Sequence, residues 1–155
     1  MLRPAPATLE HVAQLAPRLR DADRRELISS TGQDPQLVLS AALGVSDNAW
    51  AALDQEDNVV FLYGVAPGGA GEGFPWMVAA DAVLIHARFI ARHTRTFVDG
   101  MNAHYPLLRN FADCRNTLHL RWLRWAGFTF TRITTEFSKD GTPFVEFIRT
   151  IPPHV

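Results

Sequence analysis

The stretch from Asp113 to Phe128, Asp-Cys-Arg-Asn-Thr-Leu-His-Leu-Arg-Trp-Leu-Arg-Trp-Ala-Gly-Phe, leaves this chain few choices. Leu107 to Ala112, just before it, reads as a short strand. Asn116 is placed to cap a helix, because its side-chain oxygen can accept from N–H groups of the first turn. The helix then runs to about Trp125 or Ala126, and Gly127 supplies the backbone freedom a helix end often needs. Phe128 opens another strand, so the unit is strand, short helix, strand. At roughly 100° per residue, Leu118, Trp122 and Trp125 share one side, while Leu120 and Leu123 form a second apolar stripe. Thr117, Arg121 and Arg124 make a polar strip between them. A helix apolar on two sides is covered twice, once by its own sheet and once by something else.

The remaining elements follow from periodicity and punctuation. Met1 to Pro4 suggests a short first strand. Thr8 can cap a helix carrying Leu9, Val12, Leu15, Ala16 and Leu19, which Pro17 should kink or divide. Asp21 to Ser30 continues helically, with Gly32 as a stop. Asp34-Pro35 is a cap followed by proline at the first helical position, and Gly44 is the expected break. Asn48–Leu53 and Val59–Ala66, turned at Asp57-Asn58, predict a hairpin. Pro67 to Gly73 reads as a flexible loop, since no Gly-Lys-Ser/Thr follows to make a phosphate cradle. Pro75–Ala80 is the next strand. A long helix is expected from Val83 to His104, with Val83, Ala87, Ile90, Phe97, Val98 and Met101 on its apolar face. Arg88, Arg92, Arg95 and Asp99 lie opposite, Arg95 and Asp99 at pairing distance. Phe128–Phe137 and Pro143–Ile148, turned at Asp140-Gly141, make a last hairpin. This order implies one α/β (α+β) domain over residues 1–150, a mixed central sheet with helices on both faces. Residues 151–155 form an extended proline-held tail.

Asn116, Trp122-Leu123 and Gly127-Phe128 resemble, in order and register, the signature of the GNAT acetyltransferases, where an Asn begins the helix after the fifth strand and Gly-Phe closes it. Together with Pro75-Trp76 and Arg121-Trp122-Leu123-Arg124, these residues also resemble a narrower group, small podophage proteins related to the phage internal virion protein A. The first resemblance implies a GNAT-like domain, with Asn116 as a cofactor-binding residue if acetyl-CoA is held. The second implies a virion component made in the host bacterial cytoplasm.

Two of the family's functional marks are absent. The general-acid tyrosine position holds Leu123, which has no proton to give. The family's Gln/Arg-x-x-Gly-x-Gly/Ala loop, whose glycines let main-chain N–H groups approach a pyrophosphate, corresponds here to Val78–Ile85. That stretch has no glycine, Arg or Gln, and Asp81 puts a carboxylate where an anion would sit.

Other chemistry is sparse. The histidines show no H-E-x-x-H or Cys-His metal spacing, and His86 and His93 read as surface or packing residues. Asp113 is the one weak catalytic candidate, assisting through water. Cys114 is read as a packing residue, and as the sole cysteine it excludes an internal disulfide. No apolar run approaches roughly 18 residues, so no membrane span is expected, nor does the start look like a signal peptide. Net charge is −1, but residues 1–75 carry five basic and ten acidic side chains, and residues 76–155 carry ten and six. Arg115, Arg121, Arg124 and Trp125 could meet nucleic acid or an acidic protein, and without a nucleic-acid motif the protein is preferred.

Two functions are therefore expected. One is a phage structural or assembly protein that has lost acetyl-CoA catalysis, uses no cofactor, and binds another virion protein or copies of itself through Arg121, Arg124 and Trp125. The alternative is a working acyl-CoA-dependent N-acyltransferase. Of the two tryptophans, Trp125 is expected nearer the surface, flanked by Arg121 and Arg124.

Overall fold

The computed structural model describes residues 1–151; the expected tail beyond Ile151 lies outside them. In chain order the elements are β1 (Arg3–Pro6), α1 (Leu9–Leu15), a 3₁₀ turn (Ala16–Arg18), α2 (Asp21–Thr31), α3 (Pro35–Val45), β2 (Asn48–Leu53), β3 (Val59–Pro67), β4 (Glu72–Ala79), a second 3₁₀ turn (Asp81–Leu84), α4 (Ala87–His104), β5 (Leu107–Asp113), α5 (Thr117–Trp125), β6 (Thr129–Thr134) and β7 (Phe144–Thr150). The seven strands form one sheet in the order β1-β2-β3-β4-β5-β7-β6. Every neighbouring pair is antiparallel except β4 and β5.

Local chemistry sets most boundaries. Thr8 accepts from the His11 N–H while the His11 ring accepts from the Thr8 N–H, so a reciprocal cap opens α1. Pro17 ends it as a 3₁₀ turn. Gly32 closes α2 in the left-handed region at φ 71°. Asp34 accepts from the Gln36 N–H ahead of Pro35. Asp57, at φ 65°, makes the β2–β3 turn.

Strand alternation sorts the core into two faces. Ala51, Leu53, Leu62 and Val78 meet Val12, Leu15, Leu19 and Leu39 of the α1–α3 side. Ala52, Phe61 and Ala79 meet Val83 and Ile90 on the other. Farther along that second side, Leu108, Ala112, Val145 and Phe147 meet Val98, Leu123 and Ala126. Because β3 is covered on both faces, Val59 to Leu62 are all buried, a continuous apolar run and not an alternating one.

Several expected boundaries move. Helix α4 begins at Ala87, because residues 81–84 wind as a 3₁₀ turn that precedes it. Its buried stripe is Ile90, Thr94, Val98 and Asn102, with Phe97 at the edge stacked 5.1 Å from Tyr63. Gly44 does not break α3, which continues to Val45 with no atom within 4 Å of where a Cβ would stand. The Pro67–Gly73 loop is shorter than expected, since β3 reaches Pro67 and β4 begins at Glu72. The last hairpin has β6 ending at Thr134, well short of Phe137. Arg95 and Asp99 do not pair: Asp99 meets Arg149 of β7, and Arg95 turns to α5.

Candidate functional site

Strands β4 and β5 pair only where they begin, Glu72 with Leu107 and Gly73 with Leu108. Beyond that apex they diverge, and diverging parallel strands leave main-chain groups without a ladder partner. The fold satisfies several of those groups from its own chain. Pro75 has no N–H to offer, and its carbonyl accepts from Asn110 Nδ2 at 2.9 Å. The Ala79 N–H donates to Asp23 Oδ2 at 2.8 Å, and its carbonyl accepts the Arg20 N–H at 2.9 Å. Leu19 bridges Ala80 in antiparallel fashion, so the Leu19–Arg20 segment lies along the end of β4 like a fragment of extra strand. Across the opening, the Asp113 N–H donates to Glu26 Oε1 at 3.0 Å. Helix α2 thus spans the splay from one strand to the other.

Where α2 meets the start of α5, five polar side chains cluster. Asn116 Nδ2 donates to Asp23 Oδ1 at 2.9 Å and reaches Glu26 at 3.4 Å, while His119 Nδ1 lies 3.3 Å from Glu26. Arg20 pairs with Asp23 at 2.9 Å. Burial pushes the Asp23 carboxyl above its ordinary range, against the opposing pull of His119, Asn116 and Arg20. Burial draws the His119 imidazolium down, but the Glu26 and Asp23 carboxylates outweigh it and leave the ring above its ordinary value.

Asn116 occupies the position expected for a helix cap, yet its side chain makes no capping bond. It is turned into the cluster instead, and its Oδ1 is the one buried side-chain N or O atom without a partner among the described residues. Asp113 is also displaced from its expected role. It is almost wholly buried, accepts from the Arg115 N–H at 2.8 Å and from the Arg115 guanidinium at 2.7 Å, and lines neither cavity described below.

Two cavities lie on the α4–α5 side of the splay. The deeper one, about 70 Å³, is apolar and bounded by Phe61, Tyr63, Met77, Ile90, Phe97 and Trp122 among others. The outer one, about 310 Å³, lies between the start of α4 and α5, with Arg20, Asp23 and His119 in its wall and Arg121 at its edge. Met77, Ile90, His119 and Trp122 line both. By strand parity Met77 directs its main chain to the same side as Pro75 and Ala79.

Both tryptophans tie α5 to α4. Trp122 donates to Thr94 Oγ1 at 2.9 Å, and Trp125 donates to the Ala91 carbonyl at 2.9 Å. Trp125 is half exposed while Trp122 is largely covered, and helix α4 is therefore the second cover, lying over the side that carries Trp122 and Trp125. The arginine beside Trp125 is Arg95, whose guanidinium sits 4.7 Å over the indole while its Nε donates to the Trp125 carbonyl at 2.9 Å. Arg124 faces away, over Phe130 of β6. Arg121 remains exposed at the outer cavity. Of the Asp23, Glu26, His119 and Arg95 arrangement, only the i, i+3 spacing of the two carboxylates on α2 left a trace in the sequence.

Two features of the site oppose an acyl-CoA group. The turn before α4 has no glycine to bring main chain close to a phosphate, and it starts with the exposed Asp81. The strand edge at Ala79 is already engaged by Asp23 and Arg20.

No family model matches the sequence, and no curated protein matches it. Solved structures do. Aminoglycoside acetyltransferase AAC(6')-Ib, in complex with ribostamycin and coenzyme A, is 15% identical over 96% of this chain and 93% of that one, with a TM-score of 0.68. Ard1 from Thermoplasma volcanium is 11% identical over 98% and 99%, with a TM-score of 0.72. Identity this low speaks to the fold alone, and the fold is that of the GNAT acetyltransferases.

Proposed function

We propose that this chain uses the acetyltransferase fold as a scaffold for binding another protein, without acyl transfer, as a component of a phage particle. One observation carries the first part. The free edge of β4, beside which the two strands part, is occupied at Ala79 by the protein's own Arg20 and Asp23. A thioester arm entering along that edge would have to displace a buried ion pair and two hydrogen bonds. The place in a particle rests on the resemblance carried by Pro75-Trp76, Asn116 and Arg121–Arg124. Acetyl-CoA should therefore leave the melting temperature unchanged up to millimolar concentration; a ligand at 100 times its Kd would add about 2.7 kcal/mol. A rise with dose that Asn116→Ala abolishes would overturn the reading. Mass spectrometry of purified particles checks the rest, and absence of the chain from them would remove the virion role.

A second reading, an acyl-CoA-dependent N-acyltransferase, is favoured by Met77. Its main chain faces the splay between the two cavities, where a donor could polarise a carbonyl. In that case the proton acceptor would be His119 in its neutral form, which the Glu26 and Asp23 carboxylates push to higher pH, and not Asp113. The same titration with acetyl-CoA separates the two readings.

A further inference from the structure

We propose that the outer cavity between α4 and α5 receives an acidic segment of a partner protein, an aliphatic side chain entering the cavity while flanking carboxylates meet the arginines around it. This rests on the protein-binding reading above and names the chemistry of its partner. The cavity, about 310 Å³, is walled by Val83, Leu84, Ala87, Ala91, Leu118 and Trp125. Its lip is apolar and open to solvent: Leu84 is 59% exposed, Trp125 50%, and the adjoining Ile85 83%. Large apolar side chains grouped around a concavity mark a contact site.

Charge selects the partner. Arg88, Arg92 and Arg95 on α4 and Arg121 on α5 are all exposed. The only carboxylate on either helix, Asp99, is engaged by Arg149 at 2.5 Å. In the 3₁₀ turn before α4, Asp81 is the single acidic group. Arg95 uses its Nε on the Trp125 carbonyl and keeps the other N–H groups of its fork for a ligand. Aromatic and arginine side chains together are the composition of interface hot spots. A nucleic-acid strand fits less well, because stacking a base needs an open aromatic face and Arg95 already covers one face of Trp125 at 4.7 Å.

The test uses the full chain, immobilised, to select from a random dodecapeptide library. Enriched peptides should combine Asp or Glu with Leu, Ile or Phe. Their affinity, read by fluorescence anisotropy, should fall about tenfold or more in Arg121→Glu, weaken with added salt, and fall also in Trp125→Ala. Arg121 is a surface residue, so its variant keeps the test valid should Trp125→Ala fail to fold. The proposal is overturned if the enriched peptides are neutral or basic, if both variants bind them as the parent does, or if an oligothymidylate probe binds more tightly than the best peptide. Displacement of a bound acidic peptide by acetyl-CoA would sink the non-catalytic reading and leave this one standing. A selection without acidic peptides, alongside no response to acetyl-CoA, would sink this one alone.

Discussion

Asp23 accepts the main-chain N–H of Ala79 at 2.8 Å, although the two lie 56 residues apart. That bond closes the end of β4 and fixes helix α2 across the splay. It makes a strand edge, a ligand-binding feature in principle, into an internal contact. Asp23 holds three partners at once, Ala79, Asn116 and Arg20.

Asp23→Ala should therefore be costly. It would leave Arg20 without its buried partner and two N–H donors unmatched. Breaking a buried ion pair from one side costs about 3–5 kcal/mol. Urea unfolding measures it, and a loss below about 1 kcal/mol would mean that water replaces the carboxylate without difficulty.

The His119 cluster predicts a pH dependence with a definite sign. The ring sits above its ordinary value of 6.5 in the folded protein. A base raised on folding stabilises fully below the unfolded value, and that contribution disappears as pH rises through the folded value. Asp23, raised above 3.8, has the same sign at lower pH, its contribution present below that value and lost above it. Melting temperature should thus fall as pH rises above the unfolded value of 6.5, and His119→Gln should flatten that fall. A parent curve that rises with pH above that value would show that the carboxylates do not hold the proton.

Two glycines should respond oppositely to alanine. A Cβ at Gly73, at the apex where β4 leaves β5, would stand 2.7 Å from the Tyr105 ring and 2.9 Å from Val65. Overpacking of that kind costs about 1–3 kcal/mol. At Gly100, inside α4, a Cβ meets nothing within 4 Å, so alanine should stabilise by about 0.5–1 kcal/mol. Denaturation midpoints of the two variants should move in opposite directions.

Cys114 should be a slow nucleophile. Burial, and then the Asp113 carboxylate beside it, hold its thiol above the ordinary value, which leaves little thiolate at neutral pH. Alkylation by iodoacetamide near pH 7.5 should run several-fold slower than for free cysteine. A rate equal to or above that of the free amino acid would reinstate Cys114 as a candidate reactive group.

What the sequence determined by itself was local. Thr8, Pro17, Gly32, Asp34-Pro35 and Asp57 each act within a few residues of themselves, and each marks its boundary as its chemistry demands. Alternation and helical period, summed along the chain, were enough for the order of elements and hence for a mixed sheet covered on both faces. The two apolar stripes of α5 were legible for the same reason, and they implied a second cover without naming α4. What tertiary structure alone decided was the fate of side chains whose best partner is far away. Asn116 has the residue type of a cap, but 93 residues upstream lies the Asp23 carboxylate to which its amide donates, and that charge-assisted bond turns the side chain away from the first-turn N–H groups. Arg95 had Asp99 one turn away, yet Trp125 offers both a carbonyl and an aromatic face, while Asp99 is drawn to Arg149. The splay itself, and the way Arg20, Asp23 and Glu26 fill it, depends on where α2 is packed against two strands that no local pattern brings together.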